Sequence, residues 1–345
     1  MSLILGIEST CDETAAAVVA DGFDVRSSVV ATQFELHEKY RGVVPEIASR
    51  AHIENILPVL REALDKAGCR FEDLDAIAVA HRPGLIGSLL IGVTAAKTLA
   101  WSLSKPLIGV DHVHAHLYSV CLESNQKRPM PAVGMVVSGG HTAIYSVNGW
   151  NEVKLIGSTI DDAVGEAYDK VAAILGLGYP GGPILDKLAE SGDPRAVRFP
   201  RTMLDEDSLD FSFSGLKTAV LYYVRGVPGR KESPVQTKPP PAEQDIRDIA
   251  ASFQAACVDV ILRKLKRALK QTNAKSIIIG GGVSANRGLR AALPSLGVPV
   301  FLPPLRYCTD NAAMSAGLAH VMLQEGQTSA LDLDAITHSR FRDST

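Results

Sequence analysis

LILGIESTCDETAAAVVA, residues 3–20, is an apolar run, a polar and acidic turn, and a second apolar run. Apolar stretches of this length on either side of hydroxyl and carboxylate residues predict a hairpin of two buried strands. The turn can offer backbone N–H and hydroxyl donors to a phosphate, and Asp12 and Glu13 can hold a cation or position a nucleophile. A plain polar hairpin tip would use the same residues. The pattern returns weakly later: Ala132–Val137 reads as a strand, Ser138-Gly139-Gly140-His141-Thr142 as a small polar turn, and residues 142–147 as an alternating return strand. Strand, polar turn, strand therefore occurs twice, which points to an internal duplication.

A chain of 345 residues exceeds one ordinary core and predicts two domains or lobes. Hydrophobic residues at 46% against 21% charged leave ample core material and exclude a wholly disordered chain. The net charge of -3 gives no overall attraction for nucleic acid, so an RNA contact needs a local basic patch or a partner. Cys11, Cys69, Cys121, Cys257 and Cys308 form no Cys-x-x-Cys pair, which fits buried thiols in a reducing compartment better than a disulfide framework or zinc ribbon. The expected location is cytoplasmic. The N-terminus lacks the basic head and apolar core of a signal peptide, and the longest apolar stretch, 84–96, is too short to span a bilayer, so no membrane role is expected.

Between the two repeats, apolar positions from Ile47 to Leu64 predict a helix that kinks at Pro58 with His52 on its polar side. A strand at 74–80, a glycine-bearing loop at 83–88 and a helix at 89–103 follow. Next comes Asp111-His112-Val113-His114-Ala115-His116 after an apolar strand at 106–110. If Asp111 caps a helix, His112 and His116 fall four apart on one face and can share a metal ion, with a carboxylate still needed. An isolated His-x-x-x-His is more often an ordinary amphipathic helix start.

After the second hairpin, residues 159–170 predict a helix entered through acidic residues, and the glycine- and proline-rich 176–183 predicts a loop where backbone approaches a ligand. Helices are expected at 218–224 and 246–269, the second carrying a basic cluster from Arg263 to Lys270 that reads as a solvated face rather than an RNA contact. An apolar strand at 276–279 enters Gly280-Gly281-Gly282 and a helix near Asn286, a combination that makes a phosphate or nucleotide cradle. It is neither Gly-x-Gly-x-x-Gly nor a Walker loop. Residues 307–311 cap the helix 312–325, and Asp310 is the carboxylate available to complete the histidine site, an Asp N-cap being its plainer role.

Taken together, GIESTCDET (6–14), GVVPEIASRAH (42–52), Pro83-Gly84-Leu85, His112 with His116, VSGGHT (137–142), IDDAVGEAYDK (160–170), YPGGP (179–183), DFSFSGLKT (210–218), GGGVSANR (280–287) and CTDN (308–311) closely resemble the bacterial branch of the tRNA threonylcarbamoyladenosine transferases. The resemblance implies an α/β, two-lobed actin/Hsp70/sugar-kinase-like fold with duplicated mixed-sheet lobes. The polar, proline-bearing stretch at 123–131 is the expected crossing between an N-terminal lobe at 1–125 and a C-terminal lobe at 126–325, the Pro- and charge-rich 226–243 reads as a mobile insertion, and the tail at 326–345 is expected to return to the N-terminal lobe. The implied reaction moves a threonylcarbamoyl group from threonylcarbamoyl-adenylate to N6 of the adenosine 3′ of the anticodon, in tRNAs reading A-initial codons. His112, His116 and Asp310 are implied as ligands of one divalent metal, iron or zinc. Val136, Val137, Ser138, Gly139, Gly140, Asp169, Gly182, Asp186 and Asn286 are implied as adenylate-binding positions, beside a phosphate loop of Gly280, Gly281 and Gly282. Asp12 or Glu13 is assigned the proton-accepting or orienting role. Implied partners are tRNA, a small paralogous protein of the same fold, a P-loop ATPase and a separate adenylate synthase. Asp111, His114 and Arg82 depart from the family pattern, and the insertion is longer than usual.

The same hairpins and glycine loops would also hold ATP in a small-molecule phosphotransferase of this fold class. A metallopeptidase is the weaker reading, because the run lacks His-Glu-x-x-His and its adjacent glutamate base. A non-catalytic nucleotide-dependent scaffold is the third.

Overall fold

Strand β1, Leu3–Glu8, pairs antiparallel with β2, Glu13–Ala20, Leu3 opposite Ala20 and Glu8 opposite Ala15, so residues 9–12 form the tip of a hairpin. Every residue of β2 is buried, because both faces of the hairpin are covered. Ala15, Ala17 and Val19 enter one core while Ala16 and Val18 enter the core on the other side. This computed structural model describes residues 2–40, 42–124, 128–226 and 241–339.

The chain continues through β3 (Asp24–Thr32), α1 (Phe34–Glu38), α2 (Pro45–Ala67), β4 (Ala76–Arg82), α3 (Ile86–Leu103), β5 (Leu107–Asp111) and α4 (His112–Tyr118). The first sheet has the order β3-β2-β1-β4-β5, with β4 and β5 parallel to β1. The second half runs β6 (Ala132–Val137), β7 (Thr142–Gly149), β8 (Glu152–Ser158), α5 (Val164–Ile174), α6 (Gly181–Ala189), α7 (Ser214–Arg225), α8 (Glu243–Thr272), β9 (Ser276–Gly280), α9 (Arg287–Ala292), β10 (Val300–Phe301) and α10 (Ala312–Gln324). Its sheet order, β10-β9-β6-β7-β8, repeats the first connectivity: an antiparallel meander of three strands, then two parallel strands. The expected duplication of mixed sheets is thus complete at the level of topology.

Two close approaches join the halves. Helix α10 leaves the second half and packs on β1 and β2, where a Cβ on Gly6 would lie 2.2 Å from Ala312 O. Helix α4, from the first half, packs on β6 and β9, where a Cβ on Gly280 would lie 2.0 Å from His116 O. Each half therefore lends its closing helix to the other's sheet, and α4 and α10 touch between them. The tail beyond α10 lies on the first half: Ser329 N–H donates to Leu107 O at 2.7 Å, Ile336 N–H to His81 O at 3.0 Å, and the Ser339 hydroxyl to Asp111 Oδ2 at 2.7 Å.

Several details differ from the sequence-based expectations. Helix α2 runs as one element through Pro58, and His52 is fully buried rather than on a polar side. His52 Nε2–H donates to Cys11 O at 3.0 Å and its Nδ1 accepts from the Thr14 hydroxyl at 2.8 Å, tying α2 to the hairpin tip. On α8, Lys264 is no solvated residue: it is fully buried and donates to Met203 O and Ser208 O at 2.7 and 2.6 Å. Arg267 donates to the same Ser208 O, so this stretch staples the 203–208 loop to the helix, while Lys266 and Lys270 are exposed. Helix α3 is apolar enough by composition to cross a membrane, yet it lies against β4 and α2 with Leu89, Val93, Ala96 and Ala100 buried. Most of the insertion expected at 226–243 lies outside the described residues.

Candidate metal centre and nucleotide cleft

Asp111 ends β5 in an extended conformation and caps α4: its Oδ1 accepts from Val113 N–H at 3.0 Å and His114 N–H at 3.2 Å. Those bonds satisfy orphan donors of the first turn and fix where the helix begins. His112 and His116 then share a face, with ring centroids 4.6 Å apart. The exchange of helices brings the third residue to them. Asn311, not Asp310, caps α10, its side chain accepting from Met314 N–H at 3.1 Å. Asp310 is left to face the histidines, its Oδ1 lying 3.1 Å from His116 Nε2 and 3.5 Å from His112 Nε2.

The residues fit a divalent metal. Two imidazoles and one carboxylate offer ligand atoms that all lie within 4.8 Å of one another, and three protein ligands leave coordination positions for substrate. Among the described residues, His116 Nδ1 is buried with no hydrogen-bond partner. The surroundings favour positive charge. Burial alone would depress His112, but the carboxylates of Glu8 and Asp310 outweigh it and push the ring up to about 9. Burial would raise Asp310, yet His112 and His116 hold it well below the usual carboxylate range, while burial lowers His116.

Asp12 and Glu13, at the hairpin tip, are both buried beside this cluster. Burial first, and then the charges of Asp310 and Asp12, push Glu13 well above its ordinary value. Burial and the same acids raise the Cys11 thiol, which leaves it a poor nucleophile. Across the cleft, burial and the charges of Asp12 and Asp169 raise the Tyr179 phenol, so the first hairpin tip faces the loop before α6.

The glycines of the second half divide into two kinds. A Cβ on Gly139, Gly140 or Gly182 would meet nothing within 4 Å, and one on Gly282 only Thr309 Cγ2 at 3.9 Å. These open positions let a ligand approach backbone N–H groups. Gly280 and Gly281 are instead packing positions: Gly280 admits the His116 carbonyl, and Gly281, at φ +93, lies against Val137 O. The triple glycine expected as a phosphate loop is therefore open at Gly282 alone. Val136 and Val137 are fully buried in β6, which leaves their backbone to serve a ligand. Ser138 closes the turn, its hydroxyl accepting from His141 N–H at 3.0 Å. Asp169 accepts from Gly181 N–H at 2.7 Å and is raised by burial. Asp186 accepts from Arg287 N–H at 3.1 Å, and Asn286 caps α9 through Leu289 N–H at 2.8 Å while donating to Gln254 Oε1 at 2.7 Å.

Three residues of this cleft were not singled out by sequence: Glu8, whose Oε2 lies 3.1 Å from His112 Nδ1, Tyr179, and Gln254 under Asn286. A glutamine within the apolar stripe Ile249 to Cys257 was the available signal for the last.

The sequence profile of a family described as tRNA N6-adenosine threonylcarbamoyltransferase matches residues 24–317. Proteins of that name from Symbiobacterium thermophilum and Moorella thermoacetica are similar to this chain. The first is 51% identical over 338 residues, covering 97% of this chain and 95% of the relative. The second is 50% identical over 337 residues, covering 96% and 95%. Among solved structures, HypF of T. kodakarensis superposes with TM-score 0.60 at 16% identity over 94% of this chain and 48% of its own. Component A of the Acidaminococcus fermentans (R)-2-hydroxyglutaryl-CoA dehydratase does so with TM-score 0.53 at 14% identity, over 94% and 100%. Such identities speak to fold alone, and the fold is the duplicated actin/Hsp70/sugar-kinase type.

Proposed function

The chain belongs to the tRNA N6-adenosine threonylcarbamoyltransferase family, and from that premise we propose that the transfer takes place in the cleft between the histidine cluster and the open glycines. It is a transferase that modifies tRNA, and the phosphotransferase alternative is set aside. The donor we assign is threonylcarbamoyl-adenylate, made by a separate synthase. The acceptor is N6 of the adenosine 3′ of the anticodon in tRNAs reading A-initial codons.

One observation carries the reading: His112 and His116 of α4 and Asp310, just ahead of α10, come together where Gly280 packs on His116, and the neighbouring Gly282 leaves its backbone open. The N–H groups around Gly139, Gly140, Gly182 and Gly282 would hold the phosphate, and Asp169 and Asp186 would accept from ribose hydroxyls. Bound by His112, His116 and Asp310, iron or zinc would polarise the carbamoyl or phosphate oxygens as a Lewis acid. In the transfer itself, N6 attacks the carbamoyl carbon, the bond to the phosphate oxygen breaks, and adenylate leaves. N6 loses a proton in this step, and Asp12 or Glu13 is the group to take it. The chain's main contribution is alignment of amine and carbonyl.

We take residues 1–125 and 126–325 as the two lobes, 326–345 as the tail, and the working compartment as the cytoplasm. A small paralogous partner and a P-loop ATPase would supply the basic surface that a chain of net charge -3 lacks.

The test is to supply preformed threonylcarbamoyl-adenylate, unmodified tRNA and the bacterial partners, then digest the tRNA to nucleosides. Threonylcarbamoyladenosine that forms only with this chain supports the reading. Transfer of the ATP γ-phosphate to a small acceptor, with no modified nucleoside, would replace it with the phosphotransferase.

A further inference from the structure

The two histidines of the cluster are held by different means. His116 is fixed through its backbone: its carbonyl accepts from the Ser119 hydroxyl at 2.6 Å and sits against Gly280, while its Nδ1 has no partner among the described residues. His112 is fixed through its ring. Glu8, fully buried at the end of β1, places Oε2 3.1 Å from His112 Nδ1 and Oε1 3.0 Å from Thr10 N–H. The Thr10 hydroxyl lies farther from the same ring nitrogen, at 3.4 Å.

The geometry points to Glu8 as a positioning residue for the metal centre, one carboxylate that holds His112 with its Nε2 toward Asp310 and at the same time fixes the hairpin tip carrying Asp12 and Glu13. This inference rests on the metal reading above and adds a residue to it. Both Glu8 oxygens face N–H donors, Thr10 N–H and His112 Nδ1–H. A carboxylate satisfies two donors, and with Nδ1 holding its hydrogen the Nε2 lone pair is left for a cation. A glutamine has one acceptor and one donor end. If its oxygen keeps Thr10 N–H, its amide N–H₂ faces His112 Nδ1, which must then give up its hydrogen and move it to Nε2. That tautomer cannot ligate through the nitrogen facing Asp310. Glu8→Gln therefore preserves size while switching the tautomer of the ring.

The experiment measures Zn²⁺ binding by the full chain in competition with a chromophoric chelator, for wild type and Glu8→Gln, with circular dichroism to check folding. The expected result is a 10- to 100-fold loss of Zn²⁺ affinity in the variant, the usual range for removing an orienting partner. Nitrogen NMR of histidine-labelled wild type with Zn²⁺ bound should find His112 protonated at Nδ1 and ligated at Nε2, a readout that does not depend on the variant folding. Equal Zn²⁺ affinity in a folded variant, or a His112 Nδ1 without its hydrogen in the zinc-bound wild type, overturns the orienting role alone. Failure of the wild type itself to bind Zn²⁺ overturns the metal reading and this inference together.

Discussion

Asp310 and Asn311 show how much is decided by one position. Both can cap a helix, and sequence alone leaves the plainer role with Asp310; in the structure Asn311 accepts from Met314 N–H and Asp310 turns to the histidines. The i, i+4 histidine pair was legible because an N-cap and helical spacing fix it. Glu8 was not, since its partner lies on a helix far along the chain. At this scale, His112→Ala should abolish tight metal binding and lower transfer by at least the ~10²-fold expected of a lost electrostatic contact; full transfer by metal-free protein would contradict the assigned site. Asp12→Ala and Glu13→Ala should leave metal content unchanged, and at least one should slow transfer by roughly 10²- to 10⁴-fold. Rates equal to wild type in both would remove the proton-accepting role.

Among elements, glycines separate packing from binding. Gly280→Ala puts a methyl 2.0 Å from the His116 carbonyl, so α4 must shift. We expect a loss of about 1–3 kcal/mol by urea unfolding, together with weakened metal binding. Gly140→Ala meets nothing within 4 Å and should change stability by under about 0.5 kcal/mol while weakening adenylate binding. The opposite pattern in the two variants would reverse the assignment of packed and open loops. The segment before α5 supplies a pH test. Burial would raise Asp161, but hydroxyls of Ser212 and Ser214 and the N–H groups of Phe213 and Ser214 hold it below its usual value. A carboxyl lowered in the folded state adds stability above its unfolded value, about 3.9, and loses it as pH falls through the folded value. The double variant Ser212→Ala, Ser214→Ala should therefore be less stable than wild type at neutral pH, with the gap narrowing in acid; a gap independent of pH would contradict the coupling. Strands β3 and β8 escaped the sequence because both are sheet edges with half-exposed, mixed-polarity residues, and both pair with a register shift. The continuous apolar runs and near-complete burial of β1, β2 and β6 made those legible.

For the molecule as a whole, the repeat of strand, polar turn and strand announced two lobes, and the sheets have the same connectivity. What sequence could not convey is the exchange of α4 and α10, because it depends on close contacts at Gly6 and Gly280 between residues far apart in the chain. That exchange is what assembles the cluster, since His112 and His116 come from one half and Asp310 from the other. The most direct measurement is anomalous diffraction at the zinc edge from crystals of the chain with Zn²⁺ and a non-hydrolysable threonylcarbamoyl-adenylate analogue. The account predicts one zinc peak about 2.0–2.2 Å from ring nitrogens of His112 and His116 and a carboxylate oxygen of Asp310, with the analogue's phosphate against Gly139 and Gly140. A zinc peak on other residues, or an analogue bound away from those glycines, would contradict it.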